Sequence, residues 1–183
     1  MNNLGIKRLE SNRLILGKFE NNDYILMYSN YYSSEEVFKY LAIEKHNSIE
    51  DAKNFLENVI LNDYKKNNSY RWAICLKEDN NVIGSIEFIK INKEYDIAEL
   101  EFYLSSSYWN KKLMNESLNL IINYSFNELN LHSLIAKTNI NNKACIKLLE
   151  NNNFIIYKES YEIIKNKEVK LNHYKLINSN YKK

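Results

Sequence analysis

The chain has 183 residues, the size of one domain, and a chain of that length buries roughly two-thirds of the surface it exposes when unfolded. Its 25 basic and 23 acidic residues are interspersed and leave a formal charge of +2, so there is neither a polybasic stripe for nucleic acid nor an acidic tail. Apolar runs fall far short of the roughly 20 residues of a membrane span. The start MNNLGIKRLESN lacks an apolar signal core, and Cys75 and Cys145 have neither paired spacing nor a histidine cluster beside them. These features predict a soluble, unexported cytoplasmic protein with no nucleic-acid or membrane partner, no disulfide and no metal.

In chain order, Arg13 to Phe19 (RLILGKF) reads as a short strand, and Asn22-Asp23 offer a cap to the apolar-rich YILMYSNYY. In SIEDAKNFLENVILNDYKK, Ser48 and Asp51 have the capping-box spacing, and Ala52, Phe55, Leu56, Val59 and Ile60 recur as on one face of a helix. YRWAICLKED, NVIGSIEFIKI and IAELEFYL are β-rich, and the polar EDNN and NKEYD between them suit tight reversals, so three consecutive antiparallel strands are expected. Leu113 to Leu129 places Leu113, Ser117, Leu120, Ile121, Tyr124 and Leu129 near one stripe, the pattern of a helix lying on a sheet. HSLIAKTN is a further strand, NKACIKLLENN a short helix, and FIIYKESYEIIKN with VKLNHYKLI a closing pair joined near Asn166. Residues 178–183 are expected to fray. The order β-α-α-β-β-β-α-β-α-β-β, without repeat or linker, predicts one domain over residues 1–183, an α+β fold whose mixed sheet carries helices on both faces.

The strings SNRLILGKF, SIEDAKNFL, WAICLKEDNNVIGSIEF, AELEFYLSSSYWNKKLMNESL, NYSFNELNLHSLIAKTN and NKACIKLLENNNF, in this order and spacing, resemble the GNAT N-acetyltransferases over nearly the whole chain. The resemblance is strongest to the branch of ribosomal-protein N-terminal acetyltransferases and related small-amine acetyltransferases. It implies a three-layer α/β/α sandwich whose central, mostly antiparallel mixed sheet splays between its fourth and fifth strands. It further implies acetyl-CoA as co-substrate and acetyl transfer to a primary amine, of a protein N-terminus or a small molecule, by direct attack in a ternary complex. The alternative is a non-catalytic or weakened acyl-CoA-binding module on the same fold. That alternative is motivated by Lys112, which replaces the family's central loop glycine, and by Leu149, which stands where many members place a proton-donating Tyr.

A pyrophosphate needs several donors, and a loop that opens a helix offers unsatisfied N–H groups at the positive end of the dipole. Taken alone this loop reads as a solvated Lys-Lys turn; by the resemblance of the flanking strings it is the pyrophosphate loop, Trp109, Asn110, Lys111, Lys112, Leu113, Met114 and Asn115. Backbone groups of Phe102, Tyr103 and Leu104 are expected at the splay beside the pantetheine arm, and Asn142 as a pantetheine contact, a helix N-cap, or both. Period-two alternation in AELEFYL sets Ala98, Leu100, Phe102 and Leu104 on one face and Glu99, Glu101 and Tyr103 on the other. The resemblance makes Glu99 the candidate general base, while Glu101, where the branch commonly has Gly, narrows or charges the acceptor pocket; two solvated carboxylates on an open face is the competing reading. Cys145 is either a small core residue or, near the CoA sulfur, a thiol able to return a proton to the thiolate. Tyr31, Tyr32 and Phe38 fall in the segment that lines the acceptor cleft in relatives. His132 reads as structural, and Asn153 replaces a post-helical glycine at a left-handed helix end. Exposed edge strands and aromatic richness permit a homodimer.

Overall fold

A computed structural model of the chain describes residues 2, 4–66 and 69–182. They are organised by an eight-stranded sheet in the order β1-β2-β3-β4-β5-β6-β8-β7. β1 (Leu9–Glu10) is a two-residue pairing with β2 (Leu14–Gly17), and β3 (Arg71–Leu76), β4 (Val82–Asn92) and β5 (Ile97–Leu104) follow as antiparallel neighbours. β6 (Ser133–Asn139) runs parallel to β5. The hairpin of β7 (Ile155–Ile164) and β8 (Lys167–Ile177) closes the sheet, with β8 against β6 and β7 at the rim. This is the expected mixed, mostly antiparallel sheet of an α+β fold. The small β1 shifts the strand count, so the opening anticipated between the fourth and fifth strands falls between β5 and β6.

Period-two alternation decides what each face packs against. Leu14, Leu16, Trp72, Ile74, Ile86, Leu100 and Leu134 meet α5 (Leu113–Asn123) and α6 (Lys143–Asn151) through Leu113, Leu118, Ile121 and Leu149. Trp72 is fully enclosed there, and its indole N–H donates to the Lys7 carbonyl at 2.9 Å, which satisfies the ring's only polar group. Ala73, Val82 and Tyr103, on the opposite face, meet α1 (Tyr24–Met27), α2 (Glu35–Phe38) and the long helical segment begun by α3 (Ile49–Phe55) and finished by α4 (Leu61–Asp63).

Local signals hold where the partner is local. Ser48 and Asp51 form the expected capping box, with Ser48 Oγ accepting from Asp51 N at 3.1 Å and Asp51 accepting from Ser48 N at 2.9 Å. Asp23 does not cap α1: its carboxylate turns back to accept from Glu20 N at 2.7 Å. Three helices widen into π turns, at Tyr28–Tyr32, Leu56–Ile60 and Tyr124–Glu128, and the first lets consecutive Tyr31 and Tyr32 both face the sheet. Lys165 and Asn166 both have positive φ, the two-residue I′ geometry that matches strand twist, so the closing pair reverses where the sequence indicates. The tail expected to fray is hydrogen-bonded as far as Lys182, whose carbonyl accepts from Asn130 at 2.8 Å. Asn178 N donates to the His132 carbonyl at 2.9 Å and Tyr181 to Asp96 at 2.7 Å, while Lys183 lies outside the described residues. No described helix is long and apolar enough to cross a membrane.

Candidate active site

The site is built on a wedge. β5 and β6 pair in parallel from Ile97 with Ser133 to Leu100 with Ala136, and then part. Beyond that point Glu101 to Leu104 pair only with β4, and Lys137 to Asn139 only with β8, so the inner edges of two strands face each other across a gap. Phe102, Tyr103 and Leu104, expected at a splay, lie on one wall of this gap. Backbone edges left unpaired in a sheet offer N–H and C=O groups to an extended ligand. Gly84 keeps the wall in place, because a Cβ there would stand 2.4 Å from the Tyr103 carbonyl oxygen.

At the open end of β5 the chain makes a turn of 3-10 helix (Ser106–Tyr108), and Trp109 donates its indole N–H back to the Leu104 carbonyl at 2.8 Å. Asn110 (φ 60°) and Lys112 (φ 61°, ψ 13°) are then both left-handed, and α5 starts at Leu113 with no side chain capping it. Lys112 thus takes the backbone conformation that glycine favours, at about 1–2 kcal/mol for an L-residue. The loop keeps its glycine shape without the glycine. Lys111 and Lys112 are exposed beside the first turn of α5, and the Lys111 ammonium lies 4.9 Å from the Tyr108 ring centre.

Arg13, to which sequence reasoning gave no role, holds this loop from just before β2. Its guanidinium donates to Glu116 Oε2 through Nε (2.8 Å) and Nη2 (2.6 Å), and to the Lys111 carbonyl through Nη1 (3.0 Å). Burial raises the Glu116 carboxyl, but hydrogen bonds from Ser11 and Arg13 outweigh it and hold the group below its ordinary value. From the other side Asn152, at the end of α6, donates to Asn115 Oδ1 at 2.8 Å. Both clamps join residues about a hundred or several tens of positions apart, so no local pattern announces them.

The face of the wedge that carries Glu99 and Glu101 is polar. Arg71 on β3 pairs with Glu87 on β4 at 2.7 Å, and Glu101 stands opposite Glu87 on β5. Burial pushes the Glu87 carboxyl up to about 7 against the pull of the guanidinium. Glu99, 9 % exposed, sits where β5 and β6 are still joined and is paired with Lys137 at 3.5 Å, which Glu162 on β7 also holds at 3.3 Å. Glu101 begins the open part of the wedge and makes neither an ion pair nor a hydrogen bond with the described residues. Burial raises its carboxyl, Arg71 opposes, and Glu99 adds to the rise. The geometry therefore distinguishes the two carboxylates that the sequence sets side by side.

Tyr31 and Tyr32 are 0 % exposed and Phe38 1 %, so the rings expected to line the acceptor cleft are sealed into the core behind it. They pack around Tyr103, whose hydroxyl meets that of Tyr32 at 2.7 Å. His46, given no role from sequence, stacks on Tyr32 at 4.2 Å, and burial lowers its basicity. Asn142 caps α6 by accepting from Cys145 N at 3.2 Å. Cys145 packs on the α5 and α6 side of the sheet, where burial pushes its thiol up to about 11 while Thr138 opposes. Asn153 has the left-handed φ (63°) of a post-helical glycine, and His132 is edge-on to Tyr181 with Nδ1 near Ser133 Oγ, a structural setting. Two surface depressions of about 460 Å³, at Phe19 to Asp23 and at Glu35 to Lys45, lie off the wedge. Among the described residues no group of three or more His, Cys, Asp or Glu is placed to hold a metal.

These parts fit acetyl-CoA: a wedge with open backbone edges for an extended arm, and an uncapped helix start with two exposed lysines for a pyrophosphate. Comparison with known proteins agrees. Residues 13–155 match the family model described as an acetyltransferase (GNAT) domain. The chain is 31 % identical over 150 residues to an uncharacterized N-acetyltransferase of Bacillus licheniformis, covering 81 % of this chain and 83 % of that one. The ribosomal-protein-S5-alanine acetyltransferase of Vibrio fischeri has the same fold, with a TM-score of 0.82 at 19 % identity over 97 % of this chain and 100 % of that one. So does the spermidine N-acetyltransferase of Vibrio cholerae, solved in complex with CoA and spermine, with a TM-score of 0.78 at 21 % identity over 93 % and 99 %. The wedge, the left-handed loop before α5 and the matched family model together place this chain in the GNAT family of acetyltransferases.

Proposed function

We propose that the chain transfers acetyl from acetyl-CoA to a primary amine by direct attack, and that Glu101, rather than Glu99, takes the proton from the amine. The observation that carries this reading is the position of Glu101: a half-buried carboxylate without an ion-pair partner among the described residues, at the point where β5 and β6 separate. A base works best when its pKa approaches the working pH and its lone pairs are not already engaged. Burial moves Glu101 in that direction, and its carboxylate is unengaged among the described residues, whereas Glu99 is already paired with Lys137. Bound acetyl-CoA supplies an activated thioester. The first-turn N–H groups of α5, with Lys111 and Lys112, would hold its pyrophosphate, and the open edge of Phe102 to Leu104 its pantetheine arm.

The acceptor reaches the opposite side of the wedge, above Glu87, Glu99 and Glu101. Three carboxylates against Arg71 and Lys137 favour an acceptor that arrives as an ammonium ion, either a small polyvalent amine or a peptide N-terminus. Behind this face the Tyr32 and Tyr103 hydroxyl pair, with His46 stacked on Tyr32, backs the wedge from within the core. Cys145 is assigned no proton transfer, because burial raises its thiol to about 11 and so makes it a weak proton donor.

Release of CoA thiol, followed with spermidine and with a short peptide carrying an unblocked N-terminus, tests the proposal. Turnover that requires an amine is the expected result. Absence of both heat and thermal shift with millimolar acetyl-CoA would overturn it in favour of a fold that has lost the co-substrate.

A further inference from the structure

The clamps from Arg13 and Asn152 act on the backbone of the loop before α5 and on the first turn of that helix, and neither touches the Lys111 side chain. Lys111 is exposed, and among the described residues it has no ion-pair partner. A long cationic side chain in solvent samples many rotamers, and a ligand that needs it in one place must offset the loss of that freedom. What fixes the Lys111 ammonium is the Tyr108 ring, whose centre lies 4.9 Å away, within the range at which the negative face of an aromatic ring attracts a cation.

The ring in turn is anchored from outside the loop. Tyr108 is half-buried at the end of the 3-10 turn, against the core that α5 covers. Its hydroxyl accepts from Asn81 Nδ2 at 3.3 Å, and Asn81, just before β4, accepts at Oδ1 from Asn30 Nδ2 at 2.8 Å. Asn30 lies in the first π turn and also donates to the Val82 carbonyl at 2.7 Å, so the chain of contacts ends on sheet backbone. Side chains hydrogen-bonded in series restrict one another, and here they restrict where the ring can stand.

We propose that Tyr108 is a positioning residue for the co-substrate, whose ring, held through Asn81 and Asn30, keeps the Lys111 ammonium ready for the pyrophosphate of acetyl-CoA. This role rests on the reading of the loop before α5 as the pyrophosphate site. A ring suits the task in a way that a carboxylate does not. A carboxylate partner neutralises a lysine and repels an incoming phosphate, whereas a ring face steers the ammonium and leaves its charge and its three N–H donors to the anion. Of the two adjacent lysines only Lys111 has a ring beside it among the described residues, while Lys112 is set by its left-handed backbone.

Calorimetric titration of acetyl-CoA into the full chain tests this, with circular dichroism confirming that each variant folds. Tyr108→Leu is expected to weaken binding about fivefold and Lys111→Met about tenfold, and the double variant to bind no more weakly than Lys111→Met alone. Tyr108→Phe, which keeps the ring and loses the Asn81 contact, is expected to lose less than Tyr108→Leu. A carbon–proton correlation spectrum of the wild type supplies a second readout that needs no Tyr108 variant. The Lys111 ε-methylene resonance, assigned by its absence from Lys111→Met, is expected upfield of the other lysines through the ring current. Full affinity in Tyr108→Leu, losses that multiply in the double variant, a Tyr108→Phe loss as large as that of Tyr108→Leu, or an unshifted Lys111 resonance overturns the proposal while the loop keeps its ligand. A wild type that gives no heat with acetyl-CoA overturns the pyrophosphate reading, and this role with it.

Discussion

Lys112 shows how a residue can break a motif in the sequence while keeping it in the backbone. Its φ of 61° is the angle a glycine would supply, and the side chain points away from the core, exposed beside Lys111. The departure from the family's glycine is thus a modest energetic penalty that leaves the backbone shape of the loop in place. Lys112→Gly is predicted to raise stability by about 1 kcal/mol in chemical denaturation and to change acetyl-CoA affinity less than about threefold by calorimetry. A loss of ten-fold or more would mean that the ammonium, not the backbone, holds the phosphates. The same logic accounts for five of the asparagines. Asn80, Asn110, Asn130, Asn153 and Asn166 all take positive φ, the conformation that asparagine tolerates best after glycine, in a chain with three glycines. Arg13 is the residue whose role no local reading could supply, since its partners Lys111 and Glu116 are distant in sequence. Arg13→Ala is predicted to release the loop and weaken acetyl-CoA binding about tenfold, with a smaller effect on the affinity for the amine. Two guanidinium donors on Glu116 Oε2 and a third on the Lys111 carbonyl warrant that size, whereas an ordinary surface pair would not.

At the level of elements, the strands, the capping box at Ser48, the closing hairpin and the helix from Leu113 were legible because their determinants lie within a few residues of one another. Asp23 was not, since its carboxylate had two local choices and took Glu20 N over the helix start. Nor was the burial of Tyr31, Tyr32 and Phe38, because a π turn, which leaves no periodic trace, rotates both tyrosines toward Tyr103. Alternation placed Glu99 and Glu101 on the correct face, but only the parting of β5 from β6 after Leu100 separates their roles. Gly84 belongs to this scale too, as the residue that lets β4 approach the end of β5. Gly84→Ala is predicted to destabilise the fold by about 1–3 kcal/mol in thermal or urea unfolding, because the added carbon meets backbone rather than a side chain that could move. An unchanged midpoint would show that the two strands can separate there without penalty.

Across the whole molecule the two faces of the sheet divide the labour. Helices α5 and α6 and the Arg13 clamp build the side on which the co-substrate is proposed to lie, and α1 to α4 with the Arg71, Glu87 and Glu101 row build the other, so that the wedge is where the two reactants can meet. The account rests on Glu101 acting as the base from that wedge. Its carboxyl is raised above the ordinary value of 4.5 by burial, and the reaction requires it ionised, so activity must fall as pH falls through that raised value. The most direct test is kcat/KM for an amine acceptor measured against pH in the wild type, Glu101→Gln and Glu99→Gln. The expected result is an acidic limb in the wild type with a midpoint above 4.5, its disappearance in Glu101→Gln with a loss of about 10²–10⁴-fold at the optimum, and its persistence in Glu99→Gln. Loss of the limb in Glu99→Gln, with Glu101→Gln retaining both the limb and the rate, would contradict the account.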